Sequence, residues 1–356
     1  MSRVFVSGAG AVSPAGWGLG LFRAALSAGV PLPIEPLARP GWDRPLRARL
    51  VPAPNPRPAF LAHPRLRRAG QITHYAAAAA LEAVAALRPS GAARAPLGLI
   101  VCLHTGCVQY SCRFLEEALV DPATASPILF PETVFAAPGG HIAALLGEVP
   151  RVHTLIGDGA TFLQGVALAA DWLAAGHVPD CLVVGAEETN WLLADGLWHL
   201  EHEAVISGGA GALCLSGSAD RSLGVELAGI TDLHTYGARC PRAAAIQAMR
   251  AELPPGPPGE LLCDGLSGSP GHDRPEAAAW EGWSGPRLSP KRVLGEGLMA
   301  GAAWQCVAAV DWLARAPGGG AVVSLAGSNQ HAGAARFIAA PGCAGGDTGL
   351  PEATHG

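Results

Sequence analysis

"HTLIGDGATFLQG", residues 153–165, holds three kinds of local signal in one short stretch. The β-rich run from Val152 to Ile156 predicts a strand. Gly157-Asp158-Gly159 predicts a tight turn. From Thr161 the apolar spacing becomes helical and continues to Ala175, where Gly176 supplies a stop. A strand–turn–helix junction of this kind commonly aims a nucleophile at a substrate. Here the tip of the turn is Gly159, which has no side chain. The sequence builds a pedestal and leaves it empty.

Outward from this elbow, the chain alternates buried strands with helices. Residues 3–7, 97–103, 181–188 and 210–216 read as strands. Leu19 to Ala28, Gln71 to Leu87, residues 110–119 and residues 139–147 read as helices. "GAGAVSPAGWG" after the first strand reads as a loop, and 29–66 as Pro-rich surface segments. After about residue 218 the pattern restarts: a strand in "GVELAGITDL", a helix over 242–253, a strand at "ELLCDG", a long helix over 297–316 and a strand in "GAVVSLAGSN". This order predicts an α/β fold with largely parallel sheets and a duplicated unit. The halves divide as 1–218 and 219–342, with a disordered tail over 343–356.

Composition narrows the function classes. The chain has 356 residues, 49% hydrophobic and 15% charged, which indicates a well-packed globular protein. A formal net charge of −5 without a basic block gives no nucleic-acid footprint. No apolar run reaches the roughly 18–20 residues of a membrane helix. The N-terminus starts on a strand pattern and lacks a signal peptide, so a cytoplasmic location is expected, with the nine cysteines reduced. Cys102, Cys107 and Cys112 with His104 suggest a metal site only weakly against small apolar residues on a strand, a loop and a helix. Lys291 is the sole lysine in an arginine-biased chain, a hint that its position requires an ammonium group. "GAGAVS" does not complete a dinucleotide fingerprint: Ser13 holds the sixth position and Pro14 follows. No P-loop, G-x-S-x-G or zinc spacing occurs, and no cofactor or metal is expected.

Six segments in order resemble the β-ketoacyl synthases of the thiolase fold, across nearly the whole chain. They are "RVFVSGAGAVSPAG", "SPILFPETVFAAPGGHIAALLG", Gly159 through "GAEE", "CDGLSGSP", "SPKRVLGEG" and "SLAGSN". The resemblance implies a duplicated five-layered αβαβα arrangement. It also implies a catalytic cysteine at the elbow, activated by the helix N-terminus and acylated from an acyl carrier protein. Two histidines in the second half would stabilise the enolate formed from a malonyl thioester, supported by a lysine.

All three catalytic positions depart from that pattern. The cysteine position is Gly159, the first histidine position Asp264 and the second Glu296; Lys291 is retained. Glycine cannot form a thioester. Ionised carboxylates accept hydrogen bonds but donate none, and they repel a malonyl carboxylate. The expected function is therefore that of an inactive, chain-length-factor-like subunit without independent activity. It pairs with an active ketosynthase subunit as a heterodimer, meets its acyl carrier protein, and shapes the acyl tunnel of a type II fatty acid or polyketide synthase. Members of this type often carry glutamine at the elbow, from which Gly159 departs. Position in the chain makes Val108, Cys112, Leu129, Phe130, Thr133 and Phe135 candidates for the tunnel or interface. Leu325 stands where the resemblance implies a phenylalanine gate. Two alternatives stay open: a repurposed enzyme using Asp264 and Glu296 as acid–base groups on an acyl thioester, and a carrier-protein-binding scaffold. Arg65, Arg67 and Arg68 form a basic cluster that reads as a solvated face.

Overall fold

The structure, a computed structural model, describes residues 3–87, 95–253, 256–315, 319–328 and 330–340. The tail expected to be disordered lies outside them. The linear order of the main sheet takes five strands from each half of the chain. The first half supplies β1 (Val4–Ser13), β2 (Leu97–Leu103), β3 (Arg151–Ile156), β4 (Asp180–Glu187) and β5 (Gly209–Ser216). The second supplies β6 (Val225–Ile230), β7 (Leu261–Cys263), β8 (Arg287–Leu288), β9 (Gly320–Ala326) and β10 (His331–Ala339). In space the order is β3-β2-β4-β5-β1 and then β6-β10-β9-β7-β8. Adding five to each strand number converts one half into the other, and the pairing directions repeat as well. β2–β3 and β2–β4 are parallel, β4–β5 and β5–β1 antiparallel, as are their second-half counterparts. The duplication is thus written in the topology. β1 and β6 join antiparallel where the halves meet, Val6 opposite Val225.

The sheets are mixed rather than largely parallel. The β9–β10 connection is too short for the crossover a parallel pair requires, which forces antiparallel pairing there.

Helices α1 (Leu19–Ala28), α2 (Gln71–Val84), α3 (Val108–Val120), α4 (Phe130–Thr133), α5 (Ala137–Leu146), α6 (Thr161–Ala174) and α7 (Trp191–Leu200) belong to the first half. Helices α8 (Arg242–Glu252), α9 (Pro270–Ala279), α10 (Pro290–Leu294) and α11 (Met299–Arg315) belong to the second. α2 and α5 cover one outer face, and α8 and α9 the other; α6 and α11 lie between the sheets, giving the five layers. α11 is buried on nearly every side, so its sequence is apolar all round rather than striped. Trp304 Nε1 donates to the carbonyls of Val12 and Ala210, both at 3.0 Å, and Gln305 Nε2 to Ser324 O at 2.8 Å.

Residues 8–13 continue β1 instead of forming a loop. The glycines there serve close approach: a Cβ on Gly8 would stand 1.8 Å from the Ala83 carbonyl oxygen, and one on Gly10 2.2 Å from that of Ala79. They seat α2 on the sheet, and no phosphate loop exists at that point.

Candidate functional site

β3 ends at Ile156, and Gly157 N donates to the Leu103 carbonyl at 3.1 Å. Asp158 then anchors the turn. Its Oδ1 accepts from Gly159 N at 2.9 Å, and its Oδ2 accepts from Gln330 N at 2.9 Å and His331 N at 3.1 Å. The elbow is thereby tied to the β9–β10 turn. Burial works against ionising Asp158, but the backbone donors of His331, Gln330 and Gly159 outweigh it and hold the carboxyl below its ordinary pKa. Gly327 faces this carboxylate so closely that a Cβ would lie 1.9 Å from Oδ2.

Gly159 is different. Its φ is not positive, and a Cβ would meet Ala302 Cβ at 3.6 Å, Leu298 O at 3.7 Å and Gly327 Cα at 3.9 Å, ordinary van der Waals contacts. The backbone would accept a side chain at the tip.

The first turn of α11 touches both the elbow and the second-half lysine. Lys291 Nζ donates to Glu296 Oε2 at 3.0 Å, and Glu296 Oε1 accepts from Leu298 N at 2.8 Å. Both members of this pair are buried, and Leu298 itself has a positive φ of 47°. Lys291 and Glu296 thus sit together against the first turn of α11, whose Ala302, with Leu298 just before it, faces Gly159. Asp264, at the end of β7, accepts from Ser289 Oγ at 2.5 Å and has Arg287 3.7 Å from its other oxygen. Burial raises its pKa to about 6 despite Ser289.

Several site residues were not named from sequence. Glu276, on α9, accepts from Gly265 N at 2.8 Å and Ser324 Oγ at 3.0 Å, while Trp280 Nε1 donates to the same Ser324 oxygen at 3.0 Å. Burial raises the Glu276 carboxyl. His272, on the same helix, lies among Arg242, Glu296, Lys291 and Glu201; burial first, then Arg242, lowers its pKa. The two acids closing β4 are both buried. Glu187 accepts from the Thr105 hydroxyl and backbone and from His104 N, and Glu188 from Gln109 N at 2.6 Å. Burial pushes Glu187 to about 8 and Glu188 to about 7. The one local signal for Glu187 and Glu188 is a pair of carboxylates ending an apolar strand.

A cavity of about 380 Å³ opens beside the elbow between the β2–α3 loop, α7 and the β9–β10 turn. Its lining is largely leucine from α7, with Leu298, Val108, Thr105, His104 and Ser328. Of the sequence-derived candidates, Val108 lines it, as the first residue of α3 and not in the loop. Leu325 points into the core within β9 and does not line it. Phe135 packs on Gly106, Leu129 is buried, Thr133 Oγ donates to Phe130 O, and Cys112 is half-buried on α3. Phe130 is exposed against Phe114, with ring centroids 5.5 Å apart. Among the described residues no group of three His, Cys, Asp or Glu side chains could hold a metal ion, so Cys102, Cys107, Cys112 and His104 do not converge on one. No helix there is long and apolar enough to cross a membrane.

This architecture is the thiolase-like fold of the ketosynthases. Neither a protein-family profile nor a curated protein sequence matches the chain. Solved structures do match. One is an ishigamide ketosynthase/chain length factor, 18% identical, with TM-score 0.77 over 95% of this chain and 99% of that one. A second is a β-ketoacyl synthase from Burkholderia phymatum, 17% identical, with TM-score 0.77 over 95% and 100%. A third is a type II polyketide synthase acyl-carrier protein in complex with its ketosynthase bound to the hexaketide, 17% identical, with TM-score 0.75 over 95% and 99%.

Proposed function

We propose that the chain is a non-catalytic, chain-length-factor-like subunit. It pairs with an intact ketosynthase to form a type II heterodimer that receives its chain from an acyl carrier protein. The observation that carries this reading is the fully formed elbow without a nucleophile. The Asp158 anchor, the helix start and the close packing are all kept, and the tip is Gly159. The second-half substitutions support it. Both oxygens of Glu296 are engaged, by Lys291 and by Leu298 N, and Asp264 is about 1% exposed. A group held as Glu296 is lacks the reach a general acid or base needs, which counts against the repurposed-enzyme alternative at that position. Similarity to a ketosynthase/chain length factor and to a ketosynthase bound by a carrier protein supports the choice of partners.

The edge of the sheet favours a partner rather than a scaffold acting alone. β3 ends the ten-strand order and is mostly exposed. Val152 and Ile156 on it, with Leu115 and Phe130 on α3 and α4, are large exposed apolar side chains. An open strand beside an apolar surface is a template for pairing.

The test is tagged purification from the native host, followed by incubation of the isolated chain with acyl-carrier thioester and intact mass measurement. A co-purifying ketosynthase that retains cysteine and both histidines, with no mass gain on this chain, is expected. Stoichiometric acylation of this chain, or recovery as a stable partner-free homodimer, would overturn the proposal.

A further inference from the structure

A second cavity, of about 250 Å³, opens against a different face of α7, and only Leu197 lines both it and the elbow cavity. Its other wall is the segment 39–47, which runs into the short strand Leu46–Arg49; that strand pairs in parallel with Ile206–Ser207. The apolar part of the lining is core: Leu46, Ala194, Leu197 and Ile206 are buried in one packed cluster. Two tryptophans, Trp42 and Trp198, line the same cavity. Trp42 is 61% exposed, yet its ring is held. The Arg39 guanidinium lies 3.8 Å from the ring centroid and is itself fixed 2.7 Å from Asp195 on α7. Trp198 carries the His202 ring at 4.3 Å between centroids, and His202 Nδ1 donates to the Trp198 carbonyl at 2.6 Å. A large aromatic ring open to solvent and held in one orientation has the character of a binding platform.

The charges around these rings are unequal. Arg39, Arg44 and Arg47 line the cavity against a single acid, Glu203. Asp195 engages Arg39, and Glu203 lies 3.5 Å from Arg47. Arg44 is exposed and forms no ion pair among the described residues. Its planar guanidinium is thus the one in the lining without an acid, and its fork of donors matches a carboxylate.

We propose that this cavity binds a small aromatic carboxylate, its ring packed against the tryptophans and its carboxylate paired with Arg44. An aromatic ring gains more from indole than an aliphatic group of the same area, through offset or edge contacts. A cationic ligand would face the surplus of arginine and is disfavoured. The volume of about 250 Å³ lies just below the roughly 300–1,000 Å³ of drug-sized sites, which limits the ligand to one or two fused rings.

Every lining residue belongs to this chain, so the full chain is titrated by calorimetry at low salt, in whichever assembly it purifies. The probes are 2-naphthoate, the neutral naphthalen-2-ylmethanol and the saturated decahydro-2-naphthoate. The aromatic acid is expected to bind about tenfold tighter than the alcohol, through the charge-assisted pair with Arg44. It is expected to bind about fivefold tighter than the saturated acid, through ring contact. Arg44→Gln is expected to bring the aromatic acid down to the level of the alcohol while leaving the alcohol unchanged. Trp42→Leu is expected to erase most of the preference for the aromatic over the saturated acid. Both side chains are exposed, so an unchanged melting temperature is expected for each variant. Equal binding of acid and alcohol, equal binding of the two acids, no binding of either naphthalene probe, or preferences that survive both substitutions would overturn the proposal.

Discussion

Gly159 and Gly327 are neighbours at the elbow with opposite reasons for being glycine. At 327 the backbone demands it, because a Cβ would collide with the Asp158 carboxylate. At 159 it does not, since every contact of an added Cβ is 3.6 Å or longer. The empty tip is therefore not a steric need, which accords with the proposed loss of chemistry. Gly159→Cys is expected to change stability by less than about 1 kcal/mol, whereas Gly327→Ala is expected to lose about 3 kcal/mol, the scale of overpacking a rigid site; denaturant unfolding of both variants measures the contrast. Lys291 obeys a different constraint. Its ammonium is buried and donates to Glu296. Glu296→Gln keeps an acceptor for Leu298 N but strands the charge, with an expected loss of about 3 kcal/mol. Adding Lys291→Met to that variant is expected to restore most of the loss, a recovery that separate, independent roles for the two residues would not produce.

At the scale of elements, the end of β4 joins stability to pH. Glu187 and Glu188 have pKa values raised by burial to about 8 and about 7. The folded state thus keeps protons that the unfolded chain releases above the ordinary glutamate range. Their contribution is complete at low pH and is lost as pH rises through about 7 to 8. The melting temperature is expected to fall between about pH 5 and pH 8, and the double variant Glu187→Gln, Glu188→Gln to flatten that slope. Asp158, with its lowered pKa, acts in the opposite sense and loses its contribution only as pH drops below the carboxylate range. The same strand illustrates what was legible beforehand. β4 and β2 announce themselves through unbroken apolar runs, and α6 through its turn and Gly176. α9 was invisible because Pro270, Pro275 and scattered charges erase any helical stripe. β10 was missed because "HAGAARFIA" is mostly alanine and glycine, whose burial comes from packing and not from local pattern. The degenerate positions Gly159, Asp264 and Glu296 could be aligned by segment. His104, His272 and Glu276 could not, since nothing local reveals that a side chain faces a pocket formed by remote elements.

At the scale of the whole molecule, the ten-strand order has two ends of unequal character. β8, at one end, is two residues long and offers little to pair with. β3, at the other, is six residues long, pairs only with β2, and carries no acidic residue or proline to blunt it. Large exposed apolar side chains lie on β3 itself, Val152 and Ile156, and on α3, α4 and the residue after α4, namely Leu115, Leu119, Phe130 and Val134. A stable pairing surface needs roughly 800 Å² from each side, and an uncovered strand with a flanking apolar surface is a suitable core for one. The proposed ketosynthase contact therefore belongs at β3. Val152 and Ile156 are exposed in the single chain, so Val152→Asp with Ile156→Asp is expected to leave its own melting temperature nearly unchanged. In the pair, the same charges would enter an apolar interface without counter-ions, at a cost of several kcal/mol. Co-expression with an intact ketosynthase followed by size-exclusion chromatography with light scattering measures the outcome. The wild-type chain is expected to elute as a one-to-one complex and the double variant as separated chains. A complex that survives both aspartates would move the interface away from this edge.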